Sequence, residues 1–171
     1  MSTLLRARRI PFAVVGAAAM AAHGVSRSTG DLDLLTLKSE CLAEEFWNDV
    51  RSARIRVQIR RGDPSDPLAG VVRFATIDQD PIDLIVGKDA WQARIFERVR
   101  EIEIDDVTLP VASSADVVLL KLFAGGPQDL SDAQQLLDAG DRAAISAEVE
   151  RALPELSAAC REAWLRVSRG R

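Results

Sequence analysis

The chain has 171 residues, 47% of them hydrophobic and 28% charged, with a formal net charge of −4. That length suffices for one domain with a sizeable core, the composition excludes wholesale disorder, and the slight acidity gives no whole-molecule signature of nucleic-acid binding. Cys41 and Cys160 lie far apart and outside any zinc-type spacing, so they read as two reduced thiols of a cytoplasmic protein.

The N-terminal "RARRIPFAVVGAAAMAAHG" mimics a secretory leader, with basic residues before an apolar run and small residues after it. Its alanine content and early glycine favour another reading. "PFAVVG" is a strand ended by Gly16, and "AAAMAAHG" is a short helix stopped by Gly24. "SRSTG" is turn chemistry, "DLDLLTL" a second strand, and "SECLAEEFWNDVRSA" a predicted helix capped by Ser39. "RIRVQIRR" alternates, with Ile55, Val57 and Ile59 on one face and Arg54, Arg56, Gln58 and Arg60 on the other. "VVRFATI" and "PIDLIVG" form a predicted hairpin around "DQD". A helix is expected through "AWQARIFERV" and a short hairpin within "REIEIDDVTLPV". After Pro110, four segments carry helical spacing with caps or stops between them. No stretch has the length of a membrane-spanning helix. The expected fold is α/β: a small mixed sheet flanked by helices over residues 1–112, with a helical C-terminal part over 113–171 packed on it.

On a strand the side-chain period is two, so Asp31 and Asp33 point one way while Leu32 and Leu34 point into the core. Two carboxylates so close raise each other's cost of ionisation, and a divalent cation is the usual offset. Hard oxygen ligands suit Mg²⁺, which takes substrate phosphates as further ligands. Alone, Asp-x-Asp also describes a wet acidic strand face. Asp83, between Ile82 and Leu84, adds a third carboxylate among strand apolars.

Other candidates have plainer readings. His23, before Gly24, caps or packs more readily than it catalyses. The stripe of Arg54, Arg56 and Arg60, with Arg61, suits either an RNA backbone or an edge strand guarded by charge. Arg27 stands where it can meet a phosphate or pair with the acids. Asp129 and Asp132 share a helix face and, on the residues alone, fit a charge bias at a helix start. Trp47, Trp91 and Trp164 read as core.

"VVGAAAMAAHGVSRSTGDLDLL", Asp83 and "LLKLFAGGPQDLSDAQQLL" together resemble the nucleotidyltransferase superfamily of the DNA polymerase β type, and within it the bacterial AbiEii-like branch, which includes toxin–antitoxin components. The resemblance covers about four fifths of the chain. It implies the minimal nucleotidyltransferase fold, with Asp31, Asp33 and Asp83 as catalytic residues and ligands of two Mg²⁺. It also implies that Gly16, Ala17, Arg27, Lys121, Asp129 and Asp132 contact a nucleoside triphosphate. The activity implied is transfer of a nucleoside monophosphate to an acceptor hydroxyl on tRNA or other RNA, a protein or a small molecule, with an antitoxin or other protein as partner. Two departures stand out: Ala17 replaces the second residue of the family's Gly-Gly or Gly-Ser pair, and "GGPQD" has Gly126 and Gln128 where the toxin branch carries basic residues. They favour the alternative, a catalytically inactive module of the same fold that binds a partner.

Overall fold

The leader-like run forms the middle of a sheet. In the structure, a computed structural model describing residues 1–26, 30–104 and 106–169, strand β1 (Ala13–Val15) passes directly into helix α2 (Gly16–Ala22), after a short N-terminal helix α1 (Ser2–Ala7). Ala13, Val14, Ala19 and Met20 are fully buried. The alanines let α2 lie close to the sheet, and the valines suit a strand with neighbours on both sides.

The remaining strands are β2 (Leu32–Thr36), β3 (Arg56–Arg61), β4 (Gly70–Ala75), β5 (Ile82–Val86), β6 (Arg100–Ile104) and β7 (Val107–Val111). They form one mixed sheet in the order β3-β4-β5-β2-β1-β7-β6. β2 runs parallel to β5 and antiparallel to β1, and the expected hairpins are β4–β5 and β6–β7. β3 is an edge strand, its arginines facing outward and Val57 and Ile59 half-buried.

Helices α4 (Ser114–Ala124), α5 (Pro127–Ala139), α6 (Arg142–Ala152) and α7 (Ala158–Ser168) follow the last strand. α4 is their hub, touching α2, α5, α6 and α7 and burying Val117, Val118, Leu119 and Leu122. Ser113 caps α4 by accepting the Asp116 N–H, and Gly125 ends it at φ 70°, a conformation other residues adopt at a cost.

Two predicted helices are not continuous α-helices. Residues 39–53 form two 3-10 turns, Ser39–Leu42 and Glu44–Trp47, followed by a helix α3 (Asn48–Ser52), with Ala43 extended between the turns. The break lets Trp47 reach the core, where its Nε1–H donates to the Cys41 carbonyl at 2.7 Å and its ring meets Phe74 edge-on at 4.8 Å. "AWQARIFERV" contains only a 3-10 turn, Ala90–Ile95. Trp91, Gln92 and Ile95 are all buried there, and Gln92 Oε1 accepts the Asp89 N–H at 3.1 Å, closing a capping box on the short turn.

The basic N-terminus is engaged within the fold. Arg6 pairs with Glu101 at 2.9 Å, and Arg8 pairs with Asp49 at 2.6 Å while lying over the Phe46 ring at 4.7 Å. Among the described residues no helix is long and apolar enough to cross a membrane.

Candidate active site

Strand register brings the acids together. Asp33 on β2 stands opposite Val15 on one side and Asp83 of β5 on the other, and Asp83 stands opposite Arg73 of β4. Directly paired residues share a face, so Asp33, Asp83 and Arg73 form a row across three strands. Asp31 lies one residue ahead of β2, and Arg73 ties it in: Nη2 donates to Asp31 Oδ2 at 2.9 Å and Nη1 to Asp83 Oδ2 at 3.0 Å. Asp83 Oδ1 is buried and has no hydrogen-bond partner among the described residues. Burial pushes the Asp83 carboxyl up from its ordinary range; Arg73 opposes that push, Asp31 adds to it, and Arg60 opposes it less strongly.

Gly16 is the other half of the arrangement. It begins α2 at φ 64°, and a Cβ there would collide with the Asp33 carboxylate and lie 2.9 Å from its Cγ. Glycine is required twice over, for the left-handed backbone and for the approach of β2's carboxylate to the β1–α2 turn. Ala17 is buried at the start of α2, and no side chain caps that helix.

Between this face and α4–α5 lies a cleft of about 220 Å³, lined by Gly16, Asp33, Leu35, Ile85, Leu120, Lys121, Phe123 and Asp129 among others. Lys121 Nζ lies 2.7 Å from Asp132 Oδ2 and 3.0 Å from Asp129 Oδ1. Asp132 is fully buried and also accepts from Gln128 at 2.9 Å, while Asp129 accepts the Gly126 N–H at 3.3 Å and so caps α5. Lys121, Asp129 and Asp132 are therefore brought together as a tie between α4 and α5, and the first two also face the cleft.

Other candidates fall elsewhere. His23 Nε2 lies 2.7 Å from the Ala112 carbonyl oxygen, a packing contact between α2 and the segment leading into α4. Arg27 lies outside the described residues. Gln58 pairs with Arg73 and Arg60 with Val71 across β3–β4, so Arg56, Gln58 and Arg60 share the acids' face two strands from Asp83. Arg61 points the other way and donates to the Leu42 carbonyl at 2.6 Å.

Sequence reasoning missed Arg73. Its signal was present, a lone cation at an alternating position in "VVRFATI", but its partners come from β5 and from the residue ahead of β2. The donor chemistry fits a hard divalent cation: three carboxylates on one face, one with a buried orphan oxygen. The arrangement, however, has a guanidinium across two of them, and among the described residues no three His, Cys, Asp or Glu side chains converge as ligands of one ion.

A mixed sheet with the acids on adjacent parallel strands, a helix springing straight from the first strand, and helices closing one face is the nucleotidyltransferase fold of the α/β class. Nine chains of known structure match. The antibiotic-resistance factor ANT(2'')-Ia in complex with adenylyl-2''-tobramycin aligns at a TM-score of 0.58, with 14% identity over 90% of this chain and 92% of that one. The solution structure of ANT(2'')-Ia aligns at 0.54, with 14% identity over 86% and 84%. An antigenic nucleotidyltransferase-like protein from Paracoccidioides brasiliensis aligns at 0.51, with 14% identity over 99% and 84%. No protein-family model and no curated protein sequence matches the chain.

Proposed function

We propose that the protein is a Mg²⁺-dependent nucleotidyltransferase that moves a nucleoside monophosphate from a nucleoside triphosphate to an acceptor hydroxyl, releasing pyrophosphate. The observation that carries this reading is the contact between Gly16 and the Asp33 carboxylate at the wall of the cleft, with Asp83 in register beside it. Residues 1–112 supply the acids, residues 113–171 supply the opposite wall, and the nucleotide lies between them.

Asp31, Asp33 and Asp83 would hold the metal, which when bound supplies Lewis-acid stabilisation of the attacking and leaving oxygens. The chain's own groups do the rest. The bare Cα of Gly16 admits a phosphate beside Asp33. Leu35, Ile85, Leu120 and Phe123 give the nucleoside an apolar wall that excludes water. Asp83, whose carboxyl burial raises, is suited to take the proton of the acceptor hydroxyl as the hydroxyl oxygen attacks the α-phosphorus. Lys121, held by two aspartates, keeps α4 and α5 in place and offers the phosphates the remainder of its charge.

For the acceptor, Arg56 and Arg60 on the acids' face favour a polyanion such as an RNA end. The complex of ANT(2'')-Ia with adenylyl-2''-tobramycin makes a small-molecule hydroxyl the other class. The spacing of Lys121, Asp129 and Asp132 supports the AbiEii-like branch and, with it, an antitoxin partner. One observation favours the inactive, partner-binding alternative: Arg73 closing over Asp31 and Asp83. Incubating the protein with each α-labelled nucleoside triphosphate, Mg²⁺ and a panel of tRNA, protein and aminoglycoside acceptors separates the two. Label transfer with pyrophosphate release, lost in Asp33→Ala, is the expected result; absence of both with every acceptor supports the binding module.

A further inference from the structure

The proposed metal site already contains a cation. Arg73 stands opposite Asp83 in the β4–β5 register, so its side chain rises on the acids' face and its two terminal nitrogens reach carboxylates from separate segments, Asp83 at 3.0 Å and Asp31 at 2.9 Å. The planar fork gives each carboxylate its own nitrogen, whereas an ammonium such as that of Lys121 serves two carboxylates from one. Three acids on one face repel one another, and the guanidinium offsets part of that repulsion. Its hold on Asp31 is modest, because the side chains of Arg73 and Asp31 are 38% and 41% exposed and ion pairs so open to water are weak, while Asp83 is the less exposed partner at 17%.

We infer that Arg73 is a resident counter-cation that competes with divalent metal for Asp31 and Asp83, so that metal binding has to loosen its hold on them. The inference rests on the metal-site reading above and adds a residue whose role is to position the acids and set their metal affinity. Arg73 takes one oxygen of each of these carboxylates, so a metal drawn to the same pair meets charge that the guanidinium already offsets. Strand β4 keeps the displaced guanidinium on the same face, within the region the phosphates of a bound nucleotide approach. The site is thereby biased towards loading metal together with a polyphosphate, which gives the freed fork a new partner, rather than metal alone.

The test is Mn²⁺ alone, titrated into the full chain without nucleotide and read as free Mn²⁺ by electron paramagnetic resonance. Arg73→Gln removes the competitor and is expected to bind Mn²⁺ about five- to thirtyfold more tightly than wild type, the factor that one or two exposed ion pairs represent. Arg60→Gln removes a unit charge from the same face one strand farther out, and is expected to shift the affinity far less. Arg73→Lys, which keeps the charge but loses the fork, is expected to fall between wild type and Arg73→Gln. It carries the test if the glutamine variant does not fold. Equal or weaker Mn²⁺ binding by a folded Arg73 variant overturns the inference while leaving the metal site standing, as does an equal gain in Arg60→Gln. No Mn²⁺ binding by wild type or any variant overturns both the inference and the metal-dependent reading.

Discussion

The Asp33 carboxylate occupies the space that a side chain at residue 16 would need. A strand and the helix beside it are thus locked by a missing Cβ, and the consequence is measurable. Gly16→Ala is expected to cost about 1–3 kcal/mol of stability from its left-handed backbone and to push Asp33 out of position. In an Asp33→Ala background the steric part disappears, so the same substitution is expected to cost less. Urea unfolding of the four-member cycle checks this; additive costs would show that the two residues do not meet.

Asp83 supplies a pH dependence. Its carboxyl is raised, chiefly by burial, with Arg73, Asp31 and Arg60 as the charges acting on it. A carboxyl that holds its proton more tightly folded than unfolded contributes stability fully below its unfolded pKa of about 3.9, and loses it as pH rises through the folded value. Asp83→Asn, neutral at every pH, is therefore expected to melt above wild type at neutral pH and level with it in acid. Melting curves across that range decide; a variant less stable than wild type at neutral pH would mean that the ionised pair with Arg73 outweighs the burial.

Lys121 separates a structural role from a binding role. Replacing it with Met takes the Lys121 ammonium from the buried Asp132, a change expected to cost about 3 kcal/mol. Adding Asp132→Asn is expected to recover much of that loss. Unchanged stability in Lys121→Met, measured by urea denaturation, would show that the α4–α5 tie is dispensable and leave phosphate contact as its only role.

The thiols give a simple check on packing. Cys41 is fully buried and burial pushes its pKa up to about 11, while Cys160 is 3% exposed. Both are expected to resist alkylation by iodoacetamide at neutral pH in the native protein and to react at once in denaturant, since the thiolate is the nucleophile. Rapid native labelling of either would place it at the surface.

Much of this was legible before the structure because it depends on local pattern. Alternation marked β3, apolar flanks marked Asp33 and Asp83 as strand residues, and Gly16 marked the turn between β1 and α2. The hairpins β4–β5 and β6–β7 were also legible, but the pairings between strands distant in sequence, β2 with β5 and β1 with β7, were not. Arg73 belongs to the site only because β4 pairs with β5 and β5 with β2. Likewise Lys121 meets Asp129 and Asp132 because α4 and α5 fold back on each other. The predicted helix over 39–53 failed for a related reason: the segment breaks at the extended Ala43 and buries Trp47 against Phe74 of β4, a contact distant in sequence that local periodicity does not show. The N-terminal arginines, the basic start of the leader-like run, find partners in Glu101 and Asp49 that only the assembled fold brings near.

The most direct measurement of the central claim is titration calorimetry of each nucleoside triphosphate with Mg²⁺, on wild type and on Asp31→Ala/Asp33→Ala, because it needs no knowledge of the acceptor. The expected result is Mg²⁺-dependent binding of at least one triphosphate by wild type, abolished in the folded double variant. A folded wild-type protein that binds no triphosphate with Mg²⁺ present would contradict the transferase reading and leave the partner-binding module.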